Sequence, residues 1–193
     1  LPPFYYKGIA DDGLFAYVEQ IIGLTAAAPI PIYLYHFPAA SAVPWPLGLV
    51  GRLIAAFGPR LAGIKDSSGD MNYARAAAGL ADDFSVFPST EAALEEARSG
   101  RFAGCISATA NVNSDLCARG YRNGDREALA QAVAIRGLLN GKPVIAGVKV
   151  LLAHLRADPD WARVLPPLTD LSAADQAAVI DGYETIRAGN QAA

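Results

Sequence analysis

Short apolar segments alternate with amphipathic helical segments in the first part of the chain, and this alternation most limits the possible folds. Strands are predicted over 31–37, 61–65, 84–87 and 102–107, and helices over 11–23, 46–58, 71–81 and 90–100. Strands that are joined by helices of this length pair in parallel through right-handed crossovers, and the helices cover the sheet. The sequence therefore predicts an α/β protein built on a parallel sheet.

The last third of the chain contains only helical patterns. Apolar stripes at helical spacing run through 114–124, 125–141, 143–157 and 172–189. Ser172 and Asp175 form an S-x-x-D pattern that is typical of a helix start. We therefore predict two domains, an α/β domain over residues 1–124 and a helical region over residues 125–193.

Composition excludes several classes of function. The chain has 193 residues, is 52% hydrophobic and carries a formal net charge of −3, so it offers no basic field for a nucleic acid. No apolar run is long enough to predict a membrane span. Cys105 and Cys117 are too few for a disulfide framework and lack the spacing of metal ligands. We expect no nucleic acid, membrane or metal as a partner, and a reducing, cytoplasmic location.

Two side chains with useful chemistry lie near the carboxyl ends of predicted strands. Lys65 ends the segment 61–65, and Tyr35 lies near the end of 31–37. Because strand side chains alternate between two faces, Lys65 and Tyr35 share the face opposite to Ile64 and Leu34. Reactive groups of parallel α/β proteins gather at this end of the strands. If the apolar pair meets the helices, the amine and the phenol point together to the other side.

An amine that is held among apolar side chains can condense with a ketone to a Schiff base, and a neighbouring phenol can carry protons. Simpler interpretations remain. Lys65 can be a surface residue or an ion-pair partner of Asp66, and the tyrosine can be a packing residue. The turn over 66–70 can hold an anion, or it can cap the next helix through Ser68 or Asp70.

Four motifs in a fixed order carry a resemblance to a known family. They are PPFYYK (2–7), YLYHFP (33–38), GIKDSSGD (63–70) and GCISATANV (104–112). In this order they resemble the dihydrodipicolinate synthase and N-acetylneuraminate lyase family of class I, Schiff-base-forming aldolases. The resemblance implies a (β/α)8 TIM barrel with C-terminal helices and no cofactor. It also implies a homo-oligomer, usually a tetramer, that acts on pyruvate, a 2-oxo acid, and an aldehyde.

The resemblance also implies roles for individual residues. Lys65 matches the Schiff-base lysine, and Tyr35 matches the catalytic tyrosine of the fifth strand. Tyr5 matches a tyrosine that reaches into the site of a neighbouring subunit in the synthase branch. Ile106 matches a backbone position near the bound 2-oxo acid.

Hydroxyl side chains follow the predicted strands, and we expect them to contact the substrate. They are Ser41, Ser89, Thr90 and Ser107.

One departure from the family concerns the second substrate. The synthase branch has an arginine two residues after the proline of the tyrosine motif, where it holds a carboxylate, whereas Ala39 and Ala40 follow Pro38 here. Nothing adjacent replaces that bidentate anion contact. We therefore predict an aldolase or lyase for a 2-keto-3-deoxy sugar acid. A 4-hydroxy-tetrahydrodipicolinate synthase of lysine biosynthesis is the alternative.

A second departure concerns length. The family's Gly-Thr-Thr-Gly-Glu loop has no counterpart in this sequence, and a barrel of this type needs about 250 residues. We expect the chain to be the C-terminal portion of a longer protein, carrying the barrel from the end of strand 4 to strand 8. A non-catalytic descendant of the family, which keeps the fold without the threonine loop, is a further hypothesis.

Overall fold

The computed structural model describes residues 1–189, in which strands alternate with helices before a helical C-terminal part. The strands are β1 Ile32–His36, β2 Leu61–Asp66 and β3 Ser85–Pro88. The helices around them are α1 Asp11–Leu24, α2 Pro38–Ser41, α3 Leu47–Phe57, α4 Met71–Ala78 and α5 Leu94–Arg98. The C-terminal helices are α6 Ala110–Asn123, α7 Arg126–Gly137, α8 Val144–Arg156 and α9 Ala173–Ala188. Short 3-10 turns span Gly58–Arg60, Glu91–Ala93 and Pro159–Ala162.

Acidic and hydroxyl side chains begin several of these helices. The Asp125 carboxylate accepts the N–H of Ala128 at the start of α7, and this bond, followed by the Arg119 guanidinium, lowers the pKa of Asp125. At α9, the Ser172 hydroxyl accepts the N–H of Asp175 and donates to its carboxylate. Each contact satisfies an N–H that a helix leaves open, so the S-x-x-D prediction is confirmed.

The three strands form one parallel sheet in the order β1-β2-β3, so the predicted α/β class with a parallel sheet is confirmed. One row of paired residues is Tyr33, Gly63 and Ser85, and a second row is Tyr35, Lys65 and Phe87. These rows share one face because strand side chains alternate.

The opposite face of the sheet is buried beneath the helices. Its rows are Leu34–Ile64–Val86 and His36–Asp66–Pro88, and all six residues are buried. Helix α3 packs against β2, and α4 packs against β3. The burial of Leu34 and Ile64 places Lys65 and Tyr35 on the side away from these helices.

The predicted strand over 102–107 is wrong. This segment, which the structure describes throughout, makes two backbone bonds to β3, from the Ala103 N–H to the Val86 oxygen and from the Ile106 N–H to the Pro88 oxygen. From the first bond to the second, the segment moves on by three residues, whereas β3 moves on by two. The extra residue behaves as a bulge, which prevents a regular ladder. Gly104, with φ +154°, lies within this bulge.

Residue contacts divide the chain into two compact units. The first contains Leu1–Ser89 and Ser99–Ile106, and the second contains Thr90–Arg98 and the chain from Ser107 onward. Helices α6 to α9 all fall in the second unit, and α6 packs against α7 and α8. The domain boundary after residue 124 stays a prediction. Residues 190–193 of the predicted helical region lie outside the described residues.

The core of the second unit is an apolar cluster among α6, α7, α8 and α9. Leu116, Ile135, Leu151 and Val179 are almost fully buried in it. The hydroxyl of Tyr183 donates to the Val112 oxygen at 3.1 Å, which satisfies the polar end of a buried ring. Over residues 1–189, no helix combines the length and the apolar run that crossing a bilayer requires.

Gly63 lies where β2, β3 and the ring of Tyr33 approach each other most closely. A Cβ at this position would lie 2.1 Å from the Ser85 backbone oxygen and 2.7 Å from Cε1 of Tyr33. A backbone oxygen in a sheet cannot move away as the end of a flexible side chain can. Only glycine therefore fits this point of the Lys65 face.

We expect Gly63→Ala to lower the free energy of unfolding by about 3 kcal/mol, because the new methyl group overpacks the sheet. Gly48→Ala is the matched control, since Gly48 lies in α3 with open space around its Cα. That variant should be neutral or stabilising by up to about 1 kcal/mol. Urea denaturation of both variants measures the difference, and equal stability of the two variants would show that the sheet tolerates a side chain at residue 63.

Candidate active site

The Lys65 amine lies over the ring of Tyr35. The two residues pair across β1 and β2, and the Lys65 nitrogen is 4.2 Å from the centre of the Tyr35 ring. Both side chains are half-buried. The ring of Tyr35 also stacks on Phe37 at 5.7 Å between centroids, which limits the positions that the phenol can take. The structure thus brings together the two residues predicted to perform the chemistry.

Aromatic rings border the amine on the same face. Phe87 pairs with Lys65 from the β3 side. Tyr33 leans over Gly63 and meets Phe87 edge to face, with 6.0 Å between ring centroids. The amine thus lies over the Tyr35 ring on a face that also carries Tyr33 and Phe87, and the absent side chain of Gly63 leaves room for the Tyr33 ring.

The structure decides against two of the simpler interpretations. Asp66 follows Lys65 along β2, so its side chain lies on the opposite, buried face, where its carboxylate accepts the Ser68 N–H at 2.9 Å. The turn over 66–70 caps α4, because the Asp70 carboxylate accepts the N–H groups of Asn72 and Tyr73. The lysine is therefore not paired with its neighbour, and the turn acts as a helix cap.

Three aromatic residues support the end of β1: Trp45 and His36, which are buried, and Tyr73, which is half-buried. The indole N–H of Trp45 donates to the Tyr35 oxygen at 3.2 Å, and the Trp45 backbone N–H donates to Nδ1 of His36 at 3.1 Å. The hydroxyl of Tyr73 donates to the Trp45 oxygen at 2.6 Å, and its ring stacks on His36 at 4.2 Å. We call Trp45, His36 and Tyr73 the indole brace. Sequence reasoning identified His36 only as structural and missed the other two residues.

Burial sets the ionisation of the indole brace. It lowers the pKa of His36, and the nearby Asp66 carboxylate raises that pKa in partial opposition. Burial, and after it the charge of Asp66, raises the pKa of Tyr73. His36 is therefore neutral near pH 7, and its unprotonated Nδ1 can accept the Trp45 N–H.

Ser41 lies in the turn between β1 and α3, with its side chain fully buried. Its hydroxyl bonds to the backbone oxygens of Phe37 and Val43 at 3.0 and 2.9 Å. The Lys7 amine donates to the backbone oxygen of Ser41 at 2.9 Å. The structure uses this hydroxyl within its own turn. The expected contact between Ser41 and a substrate stays a prediction.

The remaining residues of the first unit that were predicted for the site are partly accessible. The Ile106 N–H is bonded to β3, while its side chain is 44% exposed. Ser89 is half-buried directly after β3. Tyr5 is 83% exposed and contacts Tyr6 edge to face at 5.3 Å, so the described residues leave its phenol accessible.

Ser107 belongs to a buried polar cluster in the second unit. Its hydroxyl donates to Glu91 at 2.8 Å, and Thr109 donates to the same carboxylate oxygen. Asn113 donates to that oxygen at 3.3 Å, and Arg136 donates to the Ser107 hydroxyl at 3.1 Å. The carboxylate is fully buried, and burial of a charge requires such partners. The Ser107 hydroxyl is thus engaged in a structural cluster.

Thr90, also predicted to bind substrate, lies in the same unit. It is half-buried, and its backbone oxygen accepts the Ala93 N–H at 3.2 Å.

No metal centre is evident within residues 1–189, where no three His, Cys, Asp or Glu side chains converge in a way that could hold an ion. The candidate site consists of an amine, a phenol and neighbouring aromatic rings.

Comparison with known proteins places this arrangement in a family. The sequence matches the Dihydrodipicolinate synthetase family over residues 1–182, and the chain belongs to that family. It is 30% identical over 194 residues to an uncharacterised DapA-like lyase of Chloroflexus aurantiacus, covering 98% of this chain and 64% of the relative.

Solved structures share the fold. Dihydrodipicolinate synthase from Agrobacterium tumefaciens superposes with a TM-score of 0.84 and 28% identity, over 96% of this chain and 64% of that chain. A variant of 2-keto-3-deoxygluconate aldolase from Sulfolobus solfataricus superposes with a TM-score of 0.81 and 19% identity, over 97% and 64%. The chain thus spans about two thirds of the length of these proteins.

We expect the free energy of unfolding to fall as the pH drops below 6.5, the ordinary pKa of histidine. Because the folded-state pKa of His36 is lowered, the unfolded chain binds a proton first. The contribution of neutral His36 is therefore complete above pH 6.5 and is lost as the pH falls through the folded-state pKa.

Denaturation at a series of pH values between about 5 and 7 measures this effect. His36→Gln should flatten the dependence, and His154→Gln should preserve it, since His154 lies on the surface beside Glu184. A wild-type profile that is flat over this range would contradict the expected neutral state of His36.

Proposed function

We propose that this protein is a Schiff-base-forming lyase that makes or breaks a carbon–carbon bond of a 2-oxo acid, with pyruvate as donor or product. Lys65 supplies the amine, and Tyr35 transfers protons. The observation that carries the proposal is the placement of the Lys65 nitrogen 4.2 Å above the Tyr35 ring, at the carboxyl ends of paired parallel strands. Membership of the Dihydrodipicolinate synthetase family supports the same class of reaction.

The reaction begins when the neutral amine of Lys65 attacks the ketone carbon. The carbinolamine loses water and leaves an iminium ion, which accepts the electron pair of the adjacent carbon–carbon bond. The Tyr35 phenol gives its proton to the hydroxyl that leaves the carbinolamine as water. In the cleavage direction, the resulting phenolate takes the proton of the substrate hydroxyl as the aldehyde leaves, and the phenol can then protonate the enamine. The resulting enamine is protonated on carbon, and water releases pyruvate and restores the amine.

The aromatic side chains near Lys65 assist these reaction steps in two ways. Before substrate binds, the contact with the Tyr35 ring holds the Lys65 amine beside the phenol. After the iminium forms, the face of the Tyr35 ring stabilises the cation until the bond breaks. Tyr33 and Phe87 line the face on which the carbon chain of the substrate would lie.

We infer a 2-keto-3-deoxy sugar acid as the substrate, because Ala39 and Ala40 offer no charge for a carboxylate on the aldehyde side. Both side chains are exposed in α2, so the turn presents small apolar groups there. The alternative, a 4-hydroxy-tetrahydrodipicolinate synthase, is supported by the 28% identity to the Agrobacterium synthase. The two proposals differ in whether the aldehyde carries a carboxylate.

Trapping with pyruvate and borohydride tests the Schiff base. We expect a covalent mass increase on the wild-type protein and none on Lys65→Arg, because a guanidinium stays protonated and forms no adduct. Lys149→Arg, which changes a helix residue of the second unit, should trap as wild type does. The readout is intact-protein mass spectrometry.

A mass increase that persists in Lys65→Arg would remove Lys65 from the reaction. Absence of trapping in the wild type, together with absence of turnover, would favour the non-catalytic descendant. Trapping without turnover would keep the amine chemistry and place the deficit in the groups that hold the carboxylate of the 2-oxo acid.

Substrate choice is tested by restoring the missing charge. We expect Ala40→Arg to raise kcat/KM for carboxylate-bearing aldehydes about tenfold, because it supplies one charge-assisted hydrogen bond. Ala39→Arg adds the same charge one residue earlier in α2 and should not produce this gain. Pyruvate release from 2-keto-3-deoxy sugar acids and pyruvate consumption with carboxylated aldehydes are the two measurements, and a wild-type preference for the second would establish the synthase alternative.

A further inference from the structure

We propose that Trp45 is a positioning residue that holds the Tyr35 phenol beside Lys65 through the hydrogen bond from its indole to the Tyr35 backbone oxygen. This inference rests on the proposed function of Lys65 and Tyr35. The indole of Trp45 bonds to the backbone oxygen of Tyr35, so it acts on the phenol through the backbone of β1.

The direction of the backbone shows how the indole reaches the Tyr35 oxygen. The His36 oxygen accepts the Ser67 N–H at 2.7 Å, so it points toward the β2 side. The Tyr35 oxygen, one residue earlier, points to the other edge, because carbonyl directions alternate along a strand. The indole of Trp45 supplies the donor there, at 3.2 Å.

Trp45 can fix the strand because it is itself fixed. Its side chain is 2% exposed. Its backbone N–H is bonded to His36 and its backbone oxygen to Tyr73, and those two rings stack on each other. His36 lies on β1 itself, and Tyr73 lies on α4, which packs against β3. The indole brace therefore ties the carboxyl end of β1 to the helix layer.

The brace matters to the reaction because proton transfer is sensitive to small displacements. A misplacement of about 1 Å can reduce a rate roughly a hundredfold. The Tyr35 side chain leaves the backbone next to the bonded oxygen, so a shift of that peptide moves the phenol relative to Lys65. The amine itself lies on β2, which is held by β1 and β3 and does not depend on Trp45.

A double-mutant cycle in kcat provides the kinetic test. Trp45→Phe keeps a buried ring and removes the N–H donor, and we expect it to lower kcat by roughly tenfold or more. The yield of the borohydride-trapped Lys65 adduct at saturating pyruvate should not change. In a Tyr35→Phe background, the same substitution should change kcat by less than about twofold, because its effect passes through the phenol. Trp161→Phe, at an exposed position, is the matched control and should leave kcat unchanged.

Two kinetic outcomes would overturn the inference. One is a wild-type kcat in Trp45→Phe. The other is an equal loss of kcat in the wild-type and Tyr35→Phe backgrounds, since a general loss of packing acts whether or not the phenol is present. Thermal denaturation of each variant accompanies the measurement, so that an unfolded variant is recognised as such.

NMR spectroscopy tests the role of Trp45 even if the protein has no turnover. Because the Lys65 amine lies over the Tyr35 ring, its side-chain proton signals should carry a ring-current shift in the NMR spectrum. We expect that shift to shrink in Trp45→Phe and to persist in Trp161→Phe. The indole N–H of Trp45 should also exchange with solvent more slowly than that of Trp161. Unchanged Lys65 signals in Trp45→Phe, or equal exchange of the two indoles, would refute the role of Trp45, whereas lack of trapping alone would refute the proposed function.

Discussion

The register between β1 and β2 is the constraint on which the candidate site depends. It pairs Tyr35 with Lys65 and, on the other face, His36 with Asp66. A slip of one residue would turn every side chain of β1 to the wrong face, burying the phenol and exposing Leu34. The apolar row Leu34–Ile64–Val86 opposes that slip through the free energy of burial. The chemistry on one face is thus aligned by packing on the other.

Much of this arrangement follows from local sequence pattern. Alternation along LAGIK and YLYHF predicted that Lys65 and Tyr35 share a face, and the alternation of strands with helices predicted the parallel sheet. The strand predicted over 102–107 failed because periodicity does not register one extra residue relative to β3. The indole brace escaped prediction for a different reason. Trp45 contacts Tyr35, ten residues earlier, and Tyr73, in another helix, and neither distance leaves a periodic signal.

Two buried polar groups show different solutions to the same electrostatic problem. His36 remains buried by staying neutral and accepting one hydrogen bond. Glu91 is buried with hydroxyl donors on one carboxylate oxygen and the Arg136 guanidinium 3.8 Å from the other. Its second oxygen has no hydrogen-bond partner within the described residues. Groups of this kind restrict which neighbours a core can hold, and sequence alone gives their residue types without their partners.

In the turn that follows β1, buried positions that must keep their residues alternate with exposed positions that can vary. Ser41, Val43 and Trp45 are buried, whereas Ala40 and Ala42, which alternate with them, are exposed. Of the two exposed positions, Ala40 accepts other side chains more readily, because Ala42 has a left-handed backbone with φ +52°. Substitutions at Ala40 therefore change what the turn presents without replacing a buried residue that bonds to Tyr35, the tyrosine proposed to transfer protons. Gly63, enclosed by backbone, has no such freedom. Among proteins with this architecture, sequence changes would therefore accumulate in the turn. Gly63, which lies beside Lys65 in β2, would stay the same while substrate specificity changes.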